Sequence, residues 1–94
     1  MQVKRNLNDK AYITLLKLSQ NIGQNLSVWQ LKGAQKMVES GSICVCIPEL
    51  VVVTDYGTKN EFGKGFTFES ACEDYLNRIR GRLLRINGEE ITFL

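Results

Sequence analysis

The sequence predicts an α+β domain of two layers, a mostly antiparallel sheet with helices packed on one face. Three observations carry this reading. Apolar residues recur at four-three-four spacing through Ala11, Leu15, Leu18 and Ile22, a second helical stripe runs from Phe68 to Ile79, and Asn87-Gly88 separates two short strand-like runs. The expected order is α, α, β, β, α, β, β. Successive strands joined by short connections cannot make parallel crossovers, which is why the pairing is expected to be antiparallel.

Taken in order, Asn8 is a natural cap for the first helix, Tyr12 and Leu16 flank its stripe, and Gly23 can end it. The next segment carries two signals. Ser27 and Gln30 have capping-box spacing, and Val28, Leu31, Ala34 and Val38 continue at helical spacing to Gly41, which favours a helix over Val28–Glu39. Against it, Leu26–Leu31 alternates like a strand, and Gly33 inside a helix costs about 1 kcal/mol. Ile43–Ile47 and Leu50–Thr54 are rich in Ile and Val and read as strands, with Pro48 marking a bulge, an edge or the break between them. The helix from Phe68 has the clearest signature: Thr67 as cap, acids early, arginines late, and Gly81 as a left-handed stop. Arg82–Ile86 and Glu89–Phe93 then form a hairpin, because a two-residue type I′ turn prefers Asn-Gly.

A chain of 94 residues is expected to form one domain over 1–94, with a core so small that a constant partner or self-association would be unsurprising. The longest apolar stretch, Ile43–Val53, is interrupted by Pro48 and Glu49 and is far shorter than the roughly 20 residues a membrane span needs. No apolar run follows Met1–Arg5, so no signal peptide is expected. Three cysteines, an odd number, argue for a reducing compartment, with the cytoplasm as the expected location.

The absence of histidine narrows the chemistry most, because the usual general base near neutral pH and the commonest metal ligand are both missing. Gly63-Lys64-Gly65 invites comparison with a phosphate-binding loop. Five residues separate Gly57 from Gly63, no Ser or Thr follows Lys64, and the helix opens only at Phe68, so spacing and chemistry both fail and a turn is expected. Cys44 and Cys46 share a strand face and Cys72 lies on an apolar helix face, so the three could converge. A structural zinc site wants a fourth ligand, and small buried hydrophobes are the expected role. Glu69, Glu73 and Asp74 read as solvated carboxylates near a helix start. No catalytic set, metal or cofactor is expected.

Arg78, Arg80, Arg82 and Arg85 put four cations within eight residues with no acid among them, a candidate partner-binding edge on a chain of net charge +2. The plain alternative is a solvated helix end and strand. Trp29 reads first as core and, if it lies at the surface, as a docking anchor.

The stretch "GKGFTFESACEDYLNRIRGRLLRI", with Gly65, Thr67, Phe68, Glu69, Ala71, Cys72, Tyr75, Leu76, Ile79, Arg80 and Gly81 at the matching positions, resembles small uncharacterised phage and prophage proteins. Pro48-Glu49-Leu50 and Thr67–Ala71 are also similar to the outline of the HicB-like antitoxin domain, which however opens with a strand. The phage resemblance implies a small non-catalytic protein that works by binding a host or phage protein, including as an inhibitor of CRISPR nucleases or other host defences. The basic edge leaves a nucleic-acid-binding regulator or antitoxin as the alternative, and a homodimer remains open.

Overall fold

The computed structural model describes residues 10–30 and 42–94. Within them lie two helices and seven strands, in the order α1 (Lys10–Asn21), β1 (Ser27–Gln30), β2 (Ile43–Cys46), β3 (Val51–Thr54), β4 (Gly57–Asn60), β5 (Gly63–Gly65), α2 (Phe68–Ile79), β6 (Leu83–Ile86) and β7 (Glu89–Thr92). Every strand pair is antiparallel, as the α+β reading expects. The strands divide between two sheets, one ordered β1-β2-β5 and the other β4-β3-β6-β7.

Pro48 stands where the chain leaves one sheet for the other. Ile47 to Leu50 forms a turn closed by the Leu50 N–H on the Ile47 carbonyl at 3.0 Å, so β2 ends in the first sheet and β3 begins in the second. Both sheets share α2 as their support. Ala71, Cys72, Tyr75, Leu76 and Ile79 of α2 join Val45 and Ile47 from the first sheet side, Val52, Leu84 and Ile86 from the second, and Ala11, Leu15 and Leu18 of α1 in one core. The Tyr12 and Phe68 rings pack tilted against each other beside it, with centroids 5.0 Å apart.

The helix ends follow their local chemistry. Thr67 caps α2 with an extended backbone, and its hydroxyl accepts from the Ser70 N–H while the Ser70 hydroxyl accepts from the Thr67 N–H, a reciprocal capping box. Gly81 takes φ +75° after the last turn, and Asn87 and Gly88 take φ +52° and +82° in the β6–β7 turn, the two positive values a type I′ turn requires. The cap expected at Asn8 lies outside the described residues.

The segment with two signals resolves as strand where it is described. Ser27–Gln30 pairs with β2 through Val28↔Val45 and Trp29↔Cys44, so the alternation at Leu26–Leu31 outweighs the capping-box spacing that favoured a helix from Val28. Local helix propensity is weak beside the pairing and packing a strand gains on a neighbour. The rest of the expected helix, to Glu39, lies outside the described residues.

Candidate functional site

Gly63-Lys64-Gly65 is neither a phosphate loop nor a flexible turn. It is strand β5, laid flush on α2. A Cβ on Gly63 would sit 2.3 Å from the Ala71 carbonyl oxygen and 2.4 Å from the Tyr75 nitrogen, and one on Gly65 would sit 2.2 Å from the Ser70 hydroxyl. Glycine is demanded there by close approach to a helix backbone, and neither residue has positive φ. The Lys64 N–H is engaged by Asp74 Oδ2 at 2.9 Å, which leaves it no part in cradling an anion.

Because Gly63 and Gly65 face the helix, pleat alternation turns Lys64 to the opposite face of the sheet. Cross-strand register places Cys44 beside Lys64 and Trp29 beside Cys44 in one row of that outer face. Phe62 precedes β5 and packs tilted against Trp29 with ring centroids 6.0 Å apart, and Phe66 follows β5. Trp29 is 39% exposed, Phe62 46% and Phe66 64%. The core reading of Trp29 therefore gives way, because its row lies on the face turned from α2. Large rings left in water beside one lysine form the surface most suited to docking, since aromatic residues dominate binding energy when a partner desolvates them.

The thiols beneath this face are quiet. Burial pushes Cys44 above the ordinary thiol range, partly opposed by Lys64, and burial followed by the neighbouring Cys44 raises Cys46. Cys72 sits instead on the inward stripe of α2, so the three cysteines do not converge. Among the described residues no group of three or more His, Cys, Asp or Glu side chains is placed to hold a metal.

The four arginines point to different surfaces. Arg78 Nε donates to Asp74 Oδ2 at 3.0 Å and its Nη1 lies 3.4 Å from Glu61 Oε1, which ties the α2 end to the β4–β5 connection. The Asp74 hydrogen bond is the chief reason the Arg78 pKa is raised. Arg85 pairs across the β6–β7 ladder with Glu90 at 2.8 Å, on the face away from the buried Leu84 and Ile86. Arg80 lies over the Phe93 ring at 5.3 Å, toward α1, and Arg82 is exposed just beyond the helix. Among the described residues, Arg80 and Arg82 form no ion pair. Two of the four charges are thus committed to neighbouring carboxylates, and the four do not make one continuous edge.

The carboxylates of α2 are also more engaged than their spacing suggests. Glu69 Oε2 accepts from the Ala11 N–H at 3.1 Å, where an anion is favoured by the start of α1, while its Oε1 is buried without a hydrogen-bond partner. Asp74 holds both Lys64 and Arg78, and Glu73 alone is exposed. The contacts of Glu69 and Asp74 tie elements of the fold together.

Sequence reasoning found Trp29 and missed Phe62, Lys64 and Phe66 as its neighbours. The signal was present in Phe62-Gly-Lys-Gly-Phe66, where bulky and empty positions alternate at the period of a strand with one crowded face. No family model, curated protein or solved structure matches this chain.

Proposed function

We propose that this chain is a non-catalytic binding protein that docks on another protein through Trp29, Phe62, Lys64 and Phe66. The observation that carries the reading is the half-exposed Trp29–Phe62 ring pair at 6.0 Å, on the sheet face turned away from α2. A ring already held by its neighbour loses little freedom on binding, so its desolvation goes into affinity. The phage-like stretch from Gly65 to Gly81 supports a phage-encoded protein acting in the host cytoplasm, with inhibition of a host defence system as its role. None of the described helices is long and apolar enough to cross a membrane.

The test is affinity capture from a bacterial lysate with the wild-type chain and with Trp29→Ser/Phe62→Ser, each verified as folded by circular dichroism. The expected result is a stoichiometric protein partner that the double variant loses. A partner retained equally by both chains would sink the assignment of this face. Sedimentation equilibrium of the purified chain alone distinguishes self-association through the same rings.

A nucleic-acid-binding regulator is the second reading, favoured by the exposure of Arg80 and Arg82. With Arg78 and Arg85 committed to carboxylates, two phosphate contacts remain, which gives a log–log salt slope of about −1.8 at about −0.9 per contact. A slope near −3.6 would instead require all four arginines to leave their present partners.

A further inference from the structure

We infer that the groove between α1 and α2 is a binding site for a small aliphatic monocarboxylate, a site separate from the aromatic face. The groove is an open depression of about 400 Å³, within the size range of small-ligand sites. Its composition is amphipathic in a directional way. Ala11 and Leu76, 5% and 6% exposed, form an apolar floor, while Lys10, Thr14, Asn77 and Arg80 supply donors around it.

Arg80 is the group that makes the groove a carboxylate site. Its neighbours Arg78 and Arg85 are occupied by Asp74, Glu61 and Glu90, whereas Arg80 pairs with no carboxylate among the described residues. One ring contact orients its side chain, and two hydrogen bonds hold the backbone that carries it. The guanidinium lies 5.3 Å from the Phe93 ring centre, the Arg80 N–H donates to the Leu76 carbonyl at 2.8 Å, and the following Gly81 N–H donates to the Phe93 carbonyl at 2.6 Å. A planar fork held in this way matches the two oxygens of a carboxylate, with Asn77, one turn earlier on the same helix face, as a further donor.

Glu73 sets the other half of the specificity. It lines the same groove two turns before Arg80, roughly 10 Å away at about 1.5 Å of rise per residue. That distance exceeds the Debye length of about 8 Å at physiological salt, so a carboxylate held at Arg80 feels little of its repulsion. A second anionic group extended along the groove would meet Glu73 directly. The ligand is therefore a single carboxylate with a short aliphatic tail lying over Ala11 and Leu76.

The test is an amide NMR titration of the whole chain with hexanoate, with hexanol and adipate in parallel. Hexanoate is expected to shift Ala11, Thr14, Asn77 and Arg80 in a saturable way, with a Kd on the order of millimolar for so small a ligand. Hexanol and adipate should each bind about tenfold more weakly or worse, since a charged hydrogen bond is lost in one and a like charge is added in the other. Arg80→Gln should weaken hexanoate about tenfold while the rest of the spectrum is preserved, and Glu73→Gln should restore adipate. If loss of the Phe93 contact unfolds Arg80→Gln, Lys10→Gln and Glu73→Gln carry the same comparison on the helix surfaces. Shifts that remain linear through the millimolar range, hexanol binding as well as hexanoate, or adipate unaffected by Glu73→Gln would each overturn the assignment.

Discussion

The backbone N–H of Ile47 donates to the phenol oxygen of Tyr75 at 3.0 Å, with both residues buried. Ile47 lies past the end of β2 and before Pro48, where the chain turns toward the second sheet, and its N–H has left the β2 ladder. A side chain from α2 meets that donor at the first of the points where the chain passes from one sheet to the other.

Removing the acceptor should therefore cost more than the loss of an oxygen atom. Tyr75→Phe leaves a buried N–H without a partner, a penalty of about 1–3 kcal/mol, while the ring continues to fill the core. Urea unfolding should show this as a lower midpoint at unchanged m-value. A midpoint equal to wild type would mean that water or a local shift satisfies Ile47.

The same residue gives the protein an alkaline limit. Burial raises the Tyr75 pKa from 10 to about 12, so the folded state disfavours the phenolate. For a group whose folded pKa lies above its unfolded value, the contribution is complete below pH 10 and is lost as pH rises from 10 through 12. Two units correspond to about 2.7 kcal/mol at about 1.36 kcal/mol per unit. The raised thiols also titrate on the alkaline side, so the measurement is the difference between wild type and Tyr75→Phe. Their stabilities should converge between pH 10 and 12, and parallel curves would contradict the assignment.

Glycine replacements should separate two kinds of constraint. Gly63→Ala drives a Cβ into helix backbone, which cannot rotate away, and about 3 kcal/mol is expected, at the upper end of ordinary overpacking. At roughly 4–8 °C per kcal/mol this lowers Tm by about 12–24 °C. Gly81→Ala meets nothing within 4 Å and suffers only from its φ of +75°, worth about 1–2 kcal/mol. Calorimetry should rank Gly63→Ala well below Gly81→Ala, and the reverse order would refute the close-approach account.

Trp29 should report directly on its surroundings. As the single tryptophan, half-exposed beside Phe62, it should be quenched by acrylamide in the free protein, and more strongly in Phe62→Ser. Trp29→Ser should cost about 1–2 kcal/mol, less than a fully buried ring, because much of its area is already in water. Trp29 that resists quenching in the isolated chain would remove the exposed face.

The parts legible in the sequence were those written in short-range chemistry. Thr67, Gly81 and Asn87-Gly88 carry their conformations in single side chains or their absence, and the stripe from Phe68 to Ile79 repeats at a period no strand would tolerate. The Gly57–Asn60 and Gly63–Gly65 strands were not legible, because neither is apolar and each is defined by what lies against it. Ser27–Gln30 shows the same limit, since its local signals favoured a helix and only pairing with β2 makes it a strand. The arginine cluster looked continuous because neighbours in sequence were taken as neighbours in space. Helix end, turn and strand instead send Arg78, Arg80 and Arg85 in separate directions, and the acids that meet Arg78 and Arg85 include Glu61 and Glu90, outside the cluster.

The flush contact of β5 on α2 also bears on the order in which the molecule assembles. Gly63 meets Tyr75 only twelve residues later, so the contact closes a short loop at little entropic cost, whereas β3 and β6 must find each other across the whole of α2. A strand without side chains on its inner face can settle on a newly formed helix without waiting for rotamers to interlock. A folding nucleus at the Gly63–Tyr75 segment predicts that alanine at Gly65 slows the refolding limb of a chevron more than it speeds the unfolding limb, and the opposite partition would rule that nucleus out.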